Sequence, residues 1–506
     1  MSQTRVYFVG AGPGDPGLIT VKGKHLLQQA DCVIYDGLAN PVLLSYCVEG
    51  TELISVAKRS GHHSVKQPEI NTLIVEKARQ HRHVVRLKGG DPCLFGRAVE
   101  EITTCIEAGV DFEIVPGITA GVAAAEYAGI FLTDRDHTSA VCFATGHEAE
   151  GKQKSDLNWD ALGSFVGSLV FYMGMGNLET ICRTLVAQGK MPDTPVAVVQ
   201  NATGPRQRMV KGTLNNIARL CELEGIGAPA IVMIGPAAEG IEKANWFMSQ
   251  PLFGKRILMT RDAHGNRVFA EKLAAVGAEP VDFDGIEILP VTGDETQKML
   301  ADLSAYDWIV FTSANGVTHM FDALKAMGKD ARHFGDAKVA CIGRQTADKL
   351  KTFGICADFV PGAFTSTALA KELNAFDNLN GKKVLMLRSA IAPKDLPDAL
   401  AESGSDLTDT AVYTVQAKTH DPEQIEAILA QIKNGEINAV TFTSSSTVEA
   451  FLNLIPRELL IQNQVKLVSI GPATTTALEA AGLRVDLTAS VHTIEGMIET
   501  MTEAGL

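Results

Sequence analysis

RVYFVGAGPGDPGLIT, residues 5–20, decides how the first half of the chain is read. RVYFVG is a β-rich apolar run and AGPGDPG a turn-rich loop, so the stretch reads as a strand entering a glycine loop at the sheet edge. Gly10 and Gly12 supply GxG, but Asp15 stands where a dinucleotide fingerprint needs its third glycine. Pro13 has no N–H for a phosphate, and Asp15 puts a negative charge where a pyrophosphate would sit. The loop is expected to hold something other than a dinucleotide. An NAD-dependent oxidoreductase built on Gly10 is a rival that Pro13 and the missing glycine disfavour.

Outward from this loop, Cys32 to Tyr35, His83 to Leu87 and Phe112 to Val115 read as further strands separated by amphipathic stretches, a mainly parallel α/β layer. From Thr138, strands at Val141 to Thr145, Leu169 to Tyr172, Val196 to Val199, Gln207 to Val210 and Ala230 to Ile234 imply a second α/β subdomain. Residues 161–178 carry no charge, yet their glycines and the YMGMGN turn read as buried strand and loop rather than a membrane span.

At 506 residues the chain is long enough for about three domains of about 150 residues each. A net charge of −14 argues against nucleic acid or an anionic membrane as partner, so a polyanionic ligand would need clustered Arg and Lys. Nine cysteines without any CxxC fit free thiols in a reducing cytoplasm, and MSQTRVYF offers no signal-peptide pattern.

Around Ile241 to Gly254 the periodicity lapses, which marks a linker, taken as 243–254. Beyond it the chain repeats itself. KRILMTRDA at Lys255 returns as KKVLMLRSA at Lys382, WIVFTSANGVTHMF at Trp308 as AVTFTSSSTVEAFL at Ala439, and KVACIGRQTADKLKTFG at Lys338 as KLVSIGPATTTALEAAG at Lys466. The offsets of 127, 131 and 128 residues describe one duplicated strand–helix unit, hence two flavodoxin-like α/β lobes. Ligands of such lobes lie at the carboxyl ends of the strands, where the FTS and IG-x-x-T segments fall.

RLKGGDPCLFGR (86–97), VPGITAG (115–121), VFYMG (170–174) and PRQRMVKGTL (205–214), with the opening loop, resemble in order the uroporphyrinogen-III C-methyltransferases of the tetrapyrrole methylase class. The resemblance covers residues 4 to 240 and implies a two-subdomain tetrapyrrole methylase fold, 1–242, with subdomains of about 1–117 and 118–242. Its donor is S-adenosylmethionine, with Pro13, Gly89, Gly90, Asp91, Leu94, Thr119, Ala120, Met173 and Ala202 lining the donor site. Ala202 stands where relatives often carry glycine. The resemblance also implies Asp36 as proton acceptor and Lys58 as proton donor. Arg59, Arg86, Lys88, Arg97 and Arg135, with His62, His63, Arg206 and Arg208 nearby, are the cations available for the substrate's carboxylates.

The duplicated half, 255–506, with VYTV at Val412, resembles uroporphyrinogen-III synthase. That resemblance implies lobes of 255–286 plus 417–506 and of 292–411, joined by a β ribbon of Glu287 to Val291 and Ala411 to Gln416. Tyr413 matches the tyrosine proposed to protonate the leaving hydroxyl, and Ser313, Thr346, Ser444 and Thr474 are the expected cleft hydroxyls.

Together the resemblances imply a bifunctional cytoplasmic enzyme without a metal, a homodimer through its methyltransferase domain. Its second half would close hydroxymethylbilane to uroporphyrinogen III with inversion of ring D, and its first half would methylate that product at C2 and C7 to precorrin-2. Alternatives are methylation of a later corrin intermediate, which RLKGGDP and YAGI disfavour, and a non-catalytic tetrapyrrole- or sugar-binding second half.

Overall fold

The structure is a computed structural model that describes residues 4–57, 66–136, 138–147, 155–363 and 365–506. Two compact units divide the chain. The first comprises residues up to Arg256, with Lys272–Pro280 and Thr502–Leu506; the second comprises Ile257–Glu271 and Val281–Met501.

The first unit holds two sheets. In the first sheet, β1 (Arg5–Gly10), β2 (Cys32–Tyr35), β3 (Glu52–Ser55), β4 (His83–Lys88) and β5 (Asp111–Val115) lie parallel in the order β3-β2-β4-β1-β5. The opening run forms β1 because Val6, Phe8 and Val9 are all buried, as expected of a parallel strand covered on both faces. β1 and β4 are neighbours in register, Gly10 opposite Lys88, so the loop after each strand emerges beside the other.

The second sheet is mixed. β6 (Val141–Thr145) and β7 (Ser168–Tyr172) are parallel, whereas β8 (Pro195–Gln200), β9 (Arg208–Thr213) and β10 (Ala230–Ile234) join antiparallel in the order β6-β7-β10-β8-β9. The uncharged run around residue 170 is thus an interior strand. Its Leu169 and Phe171 pack on one face with Ile181 and Leu185 of helix Leu178–Ala187, and its Val170 and Tyr172 pack on the other with Ala124 and Ala125 of helix Ala120–Tyr127. Among the described residues no helix is long and apolar enough to cross a membrane.

The stretch read as a linker is anchored. Trp246 and Phe247 lie with ring centroids 4.9 and 4.8 Å from Tyr127, and Phe247 and Leu252 are buried. Periodicity fails there because isolated aromatics, not a helical or strand face, make the contact.

The second unit shows the duplication in three dimensions. One sheet uses Arg256–Met259, Glu279–Asp282, Ala439–Phe442, Lys466–Ser469 and Leu487–Thr488; the other uses Ile286–Pro290, Trp308–Phe311, Lys338–Cys341, Lys383–Ser389 and Asp406–Ala417. The two FTS repeats end their strands identically: Ser313 and Ser444 cap helices Ala314–Ala326 and Ser445–Leu452 with φ of −164° and −165°. The long strand Asp406–Ala417 runs parallel to Lys383–Ser389. Its last residues pair antiparallel with Ile286–Pro290, from Ile286 opposite Ala417 to Pro290 opposite Tyr413, and this pairing is the β ribbon.

Where the ribbon meets the first lobe, Asp284 accepts from Lys418 at 2.7 Å, and buried Asn266 donates to Asp282 at 2.5 Å and to Asp284 at 3.3 Å. Burial, then the neighbouring Asp284, push the Asp282 carboxyl up to about 7. A carboxyl whose folded value lies above its unfolded one costs stability as pH rises between the two. Asp282→Asn is therefore expected to raise the unfolding temperature at pH 8 and to lose that advantage toward pH 4. Calorimetric scans at both pH values check this; a gain of equal size at pH 4 would refute the charge explanation.

Candidate active site

At the carboxyl ends of β1, β4 and β5, three loops cross almost in contact. Gly12 and Gly90 exchange backbone hydrogen bonds of 3.2 and 2.8 Å. A Cβ on Gly10 would lie 2.5 Å from Gly117 Cα, and one on Gly117 would overlap the Gly90 carbonyl oxygen. Only glycine permits this approach, and Gly90 in addition sits at φ +69°. Asp91 locks the crossing: Oδ1 accepts from the N–H groups of Cys93 (2.8 Å) and Leu94 (3.2 Å), and Oδ2 from that of Gly117 (3.0 Å).

The second sheet closes on this junction. Tyr172 Oη accepts the Gly121 N–H and shares a hydrogen bond with Thr119 Oγ1, both at 2.7 Å. The Asp15 N–H donates to Thr203 Oγ1 (2.9 Å), and Asp15 Oδ2 accepts from Tyr127 Oη (2.7 Å). The Asp15 charge that argued against a pyrophosphate is therefore a clasp between the two halves of the unit. Phe95, Arg97, Met173, Asn201 and Thr203, none of them glycine, all have φ between 49° and 66° in the loops around this junction. Such strain persists only where the surroundings enforce it, and it gathers at functional loops.

Of the expected donor-site residues, Leu94, Ala120 and Ala202 pack against one apolar cluster that includes Tyr172. Gly90 and Asp91 form the crossing itself, and Thr119 precedes helix Ala120–Tyr127 with its hydroxyl on Tyr172. A Cβ on Gly89 would lie 2.8 Å from that of Leu38, a neighbour the motifs did not point to. Gly14, beside Pro13, abuts the Ala202 carbonyl, while Met173 stands half exposed. Tyr172, Thr203 and Tyr127 were missed as site residues, although VFYMG already contained Tyr172.

Asp36 follows β2, and its N–H binds the Leu87 carbonyl at 3.2 Å, which sets its carboxylate one strand from Gly89 and Gly90. Arg86 Nη2 donates to Asp36 Oδ1 at 2.6 Å. Two expectations need correction here. Arg86 and Lys88, read as free cations for substrate, are 1% and 3% exposed and both bind Glu101, itself fully buried, at 3.0 to 3.1 Å. Burial holds the Lys88 ammonium below its usual range. Their charges are paired inside the fold with Glu101 and, through Arg86, with Asp36. Lys58 and Arg59, with His62 and His63, lie outside the described residues. Arg97 is exposed in a fork with Glu100, Arg135 is exposed in a turn, and Arg208 donates to the Glu224 carbonyl.

In the second unit Tyr413 is 7% exposed, and its hydroxyl lies 2.9 Å from Ser313 Oγ, which accepts the Gly316 N–H at 3.0 Å. His319 stacks on the Tyr413 ring at 5.6 Å, and burial keeps its imidazole below the usual value. Ser444 occupies the same cap in the other repeat, bonded to Ser446 and Thr447. Thr346 and Thr474, expected as cleft hydroxyls, are buried in the first turns of their helices. Among the described residues, Cys32, Glu52 and His81 are the one grouping with metal-ligand chemistry, and Lys77 already donates to Glu52 at 2.6 Å.

Residues 5–218 match the family of Tetrapyrrole (Corrin/Porphyrin) Methylases, and residues 267–499 match Uroporphyrinogen-III synthase HemD. The Porphyrin biosynthesis protein HemD of Ruminiclostridium josui is 38% identical over 509 aligned residues, covering 100% of this chain and 99% of that protein. The Uroporphyrinogen-III C-methyltransferase of Bacillus subtilis is 41% identical over 70% of this chain and 72% of its own length. The S-adenosyl-L-methionine-dependent uroporphyrinogen III methyltransferase of Methanosarcina barkeri is 45% identical over 46% of this chain and 91% of its own length. A glycine crossing over a parallel sheet in one unit and a duplicated pair of lobes in the other correspond to these two matches, and the chain belongs to the family in which a tetrapyrrole methylase is joined to a uroporphyrinogen-III synthase.

Proposed function

We propose that the second unit closes hydroxymethylbilane to uroporphyrinogen III with inversion of ring D. The first unit then methylates that product at C2 and C7 with S-adenosylmethionine to give precorrin-2. The observation that carries this reading is the placement of Asp36 beside a glycine crossing that suits no dinucleotide. The adenosyl group and its sulfonium carry no phosphate, so a cradle of close-packed backbone and apolar Leu94 fits them. Attack by an electron-rich pyrrole carbon needs in-line alignment and then removal of a proton, for which Asp36 is the base and Lys58 the donor. Arg59, Arg97 and Arg135 remain as cations for the macrocycle's carboxylates. The reading includes a cytoplasmic homodimer formed through the methyltransferase domain, with domain limits of 1–242 and 255–506.

Supplying the whole protein with hydroxymethylbilane and methyl-labelled donor tests it. A doubly labelled dihydro-tetrapyrrole is expected, and uroporphyrinogen III alone when the donor is withheld. Formation of only the uninverted I isomer would refute the second half, and an unlabelled III isomer in the presence of donor would refute the first.

In ring closure Tyr413 hands a proton to the departing hydroxyl while the lobes fold the chain. The Ser313 hydroxyl, which accepts a helix N-terminal N–H, shares a hydrogen bond with Tyr413 Oη and fixes the place of the phenol. Tyr413→Phe is expected to slow closure by about 10²-fold, the lower range for one acid–base group, with the product still the III isomer. Enzyme-dependent I isomer would show instead that Tyr413 steers the inversion.

A further inference from the structure

Glu101 belongs to none of the motifs, yet it is the most completely enclosed acid near the first site. It lies in helix Ala98–Glu107, fully buried, and takes hydrogen bonds from Arg86 Nε (3.1 Å) and Nη2 (3.0 Å), Lys88 Nζ (3.0 Å to each oxygen) and Gln67 Nε2 (3.2 Å). Arg86 carries the same nitrogen, Nη2, to Asp36 Oδ1 at 2.6 Å, and its Nη1 reaches the Ile34 and Leu87 carbonyls at 3.4 and 3.3 Å. Every nitrogen of Arg86 therefore has a partner, and only Asp36, 30% exposed at its side chain, faces outward.

We propose that Glu101 is a positioning residue for methyl transfer: it clamps Arg86 from behind, so that the guanidinium holds the Asp36 carboxylate in one orientation at the donor junction. The proposal rests on the reading of Asp36 as proton acceptor. Its physical content is that a carboxylate on a loop has free χ angles, whereas one hydrogen-bonded to a buried, planar guanidinium does not. The described charged groups packed around this site are Arg86 and Lys88 from β4 and Glu101 from its helix; two cations face two carboxylates.

The test uses the full chain in single turnovers with uroporphyrinogen III and methyl-labelled S-adenosylmethionine, with donor affinity by calorimetry. Glu101→Gln is expected to lower the methylation rate roughly tenfold, part of the roughly 10²- to 10⁴-fold that a positioned base supplies, while donor affinity stays within about twofold. Arg86→Lys, which keeps the positive charge but not the planar fork, should slow the same step with donor affinity likewise kept. An unchanged rate in Glu101→Gln, with Asp36→Asn impaired, would overturn the proposal; a fully active Asp36→Asn would overturn the reading of Asp36 instead. Should Glu101→Gln lose donor binding, Arg86→Lys decides: a native rate there overturns the proposal.

Discussion

Asp36→Asn is expected to slow methyl transfer by about 10²- to 10⁴-fold, the range for a single positioned base, with donor affinity nearly unchanged. The substitution keeps the shape of the side chain and an oxygen for Arg86 Nη2, so the buried Arg86–Glu101 pairing is preserved. What it removes is the ability to take a proton from the methylated ring. The donor junction is built from other parts, namely Gly10, Gly12, Gly90, Asp91 and Gly117, none of which touches Asp36 through a side chain. Rate and donor binding should therefore separate cleanly. Calorimetry with S-adenosylmethionine beside single-turnover labelling is the measurement. Turnover at the native rate would return Asp36 to a turn residue that Arg86 merely holds.

Gly117→Val should abolish donor binding. Even the first carbon of a side chain at this position would overlap the Gly90 carbonyl and stand 2.7 Å from Gly10 Cα, so two loops must separate and the Gly12–Gly90 bridge must open. Backbone has no rotamer by which to yield, unlike the end of a flexible side chain. Gly90→Ala is the contrast. There φ is +69°, but the added carbon meets nothing nearer than 3.8 Å, so the cost is the conformational one of about 1–2 kcal/mol for a left-handed residue. Weakened binding of S-adenosylmethionine is expected for Gly90→Ala, and none detectable for Gly117→Val. Hydroxymethylbilane closure by the second unit should persist in both variants, and protection of the first-unit strands in hydrogen exchange should show that this unit has folded. Native donor affinity in Gly117→Val would remove this crossing from the donor site.

Much of this was legible in the residues. RVYFVG, CVIY and HVVRLK had to be strands of a covered parallel sheet, because runs that apolar have nowhere else to go. The duplication of KRILMT, WIVFTS and KVACIG announced paired lobes, and the identical capping geometry of Ser313 and Ser444 follows from repeated local chemistry, which needs only neighbours in sequence. Gly10, Gly12, Gly89 and Gly90 stood out in the sequence for the same reason, as positions where a side chain is conspicuously missing, whereas Gly117, which completes the crossing, was not singled out.

What a side chain faces was not legible. In a strand covered on both sides, alternation does not distinguish solvent from a second layer, so Arg86 and Lys88 in HVVRLK read as cations displayed to substrate. Whether they are displayed depends on helix Ala98–Glu107, which sets Glu101 on the same face of the sheet, within hydrogen-bond reach of both. Thr346 and Thr474, likewise, sit in helix first turns whose exposure depends on packing, not pattern. The sequence by itself determined the strands, the loops and the duplication, since these rest on local stereochemistry and hydrophobic period. Which charges point inward, and that Glu101 through Arg86 holds Asp36, only the tertiary structure decided, because the pairing of buried charges is set by contacts between segments that no local pattern encodes.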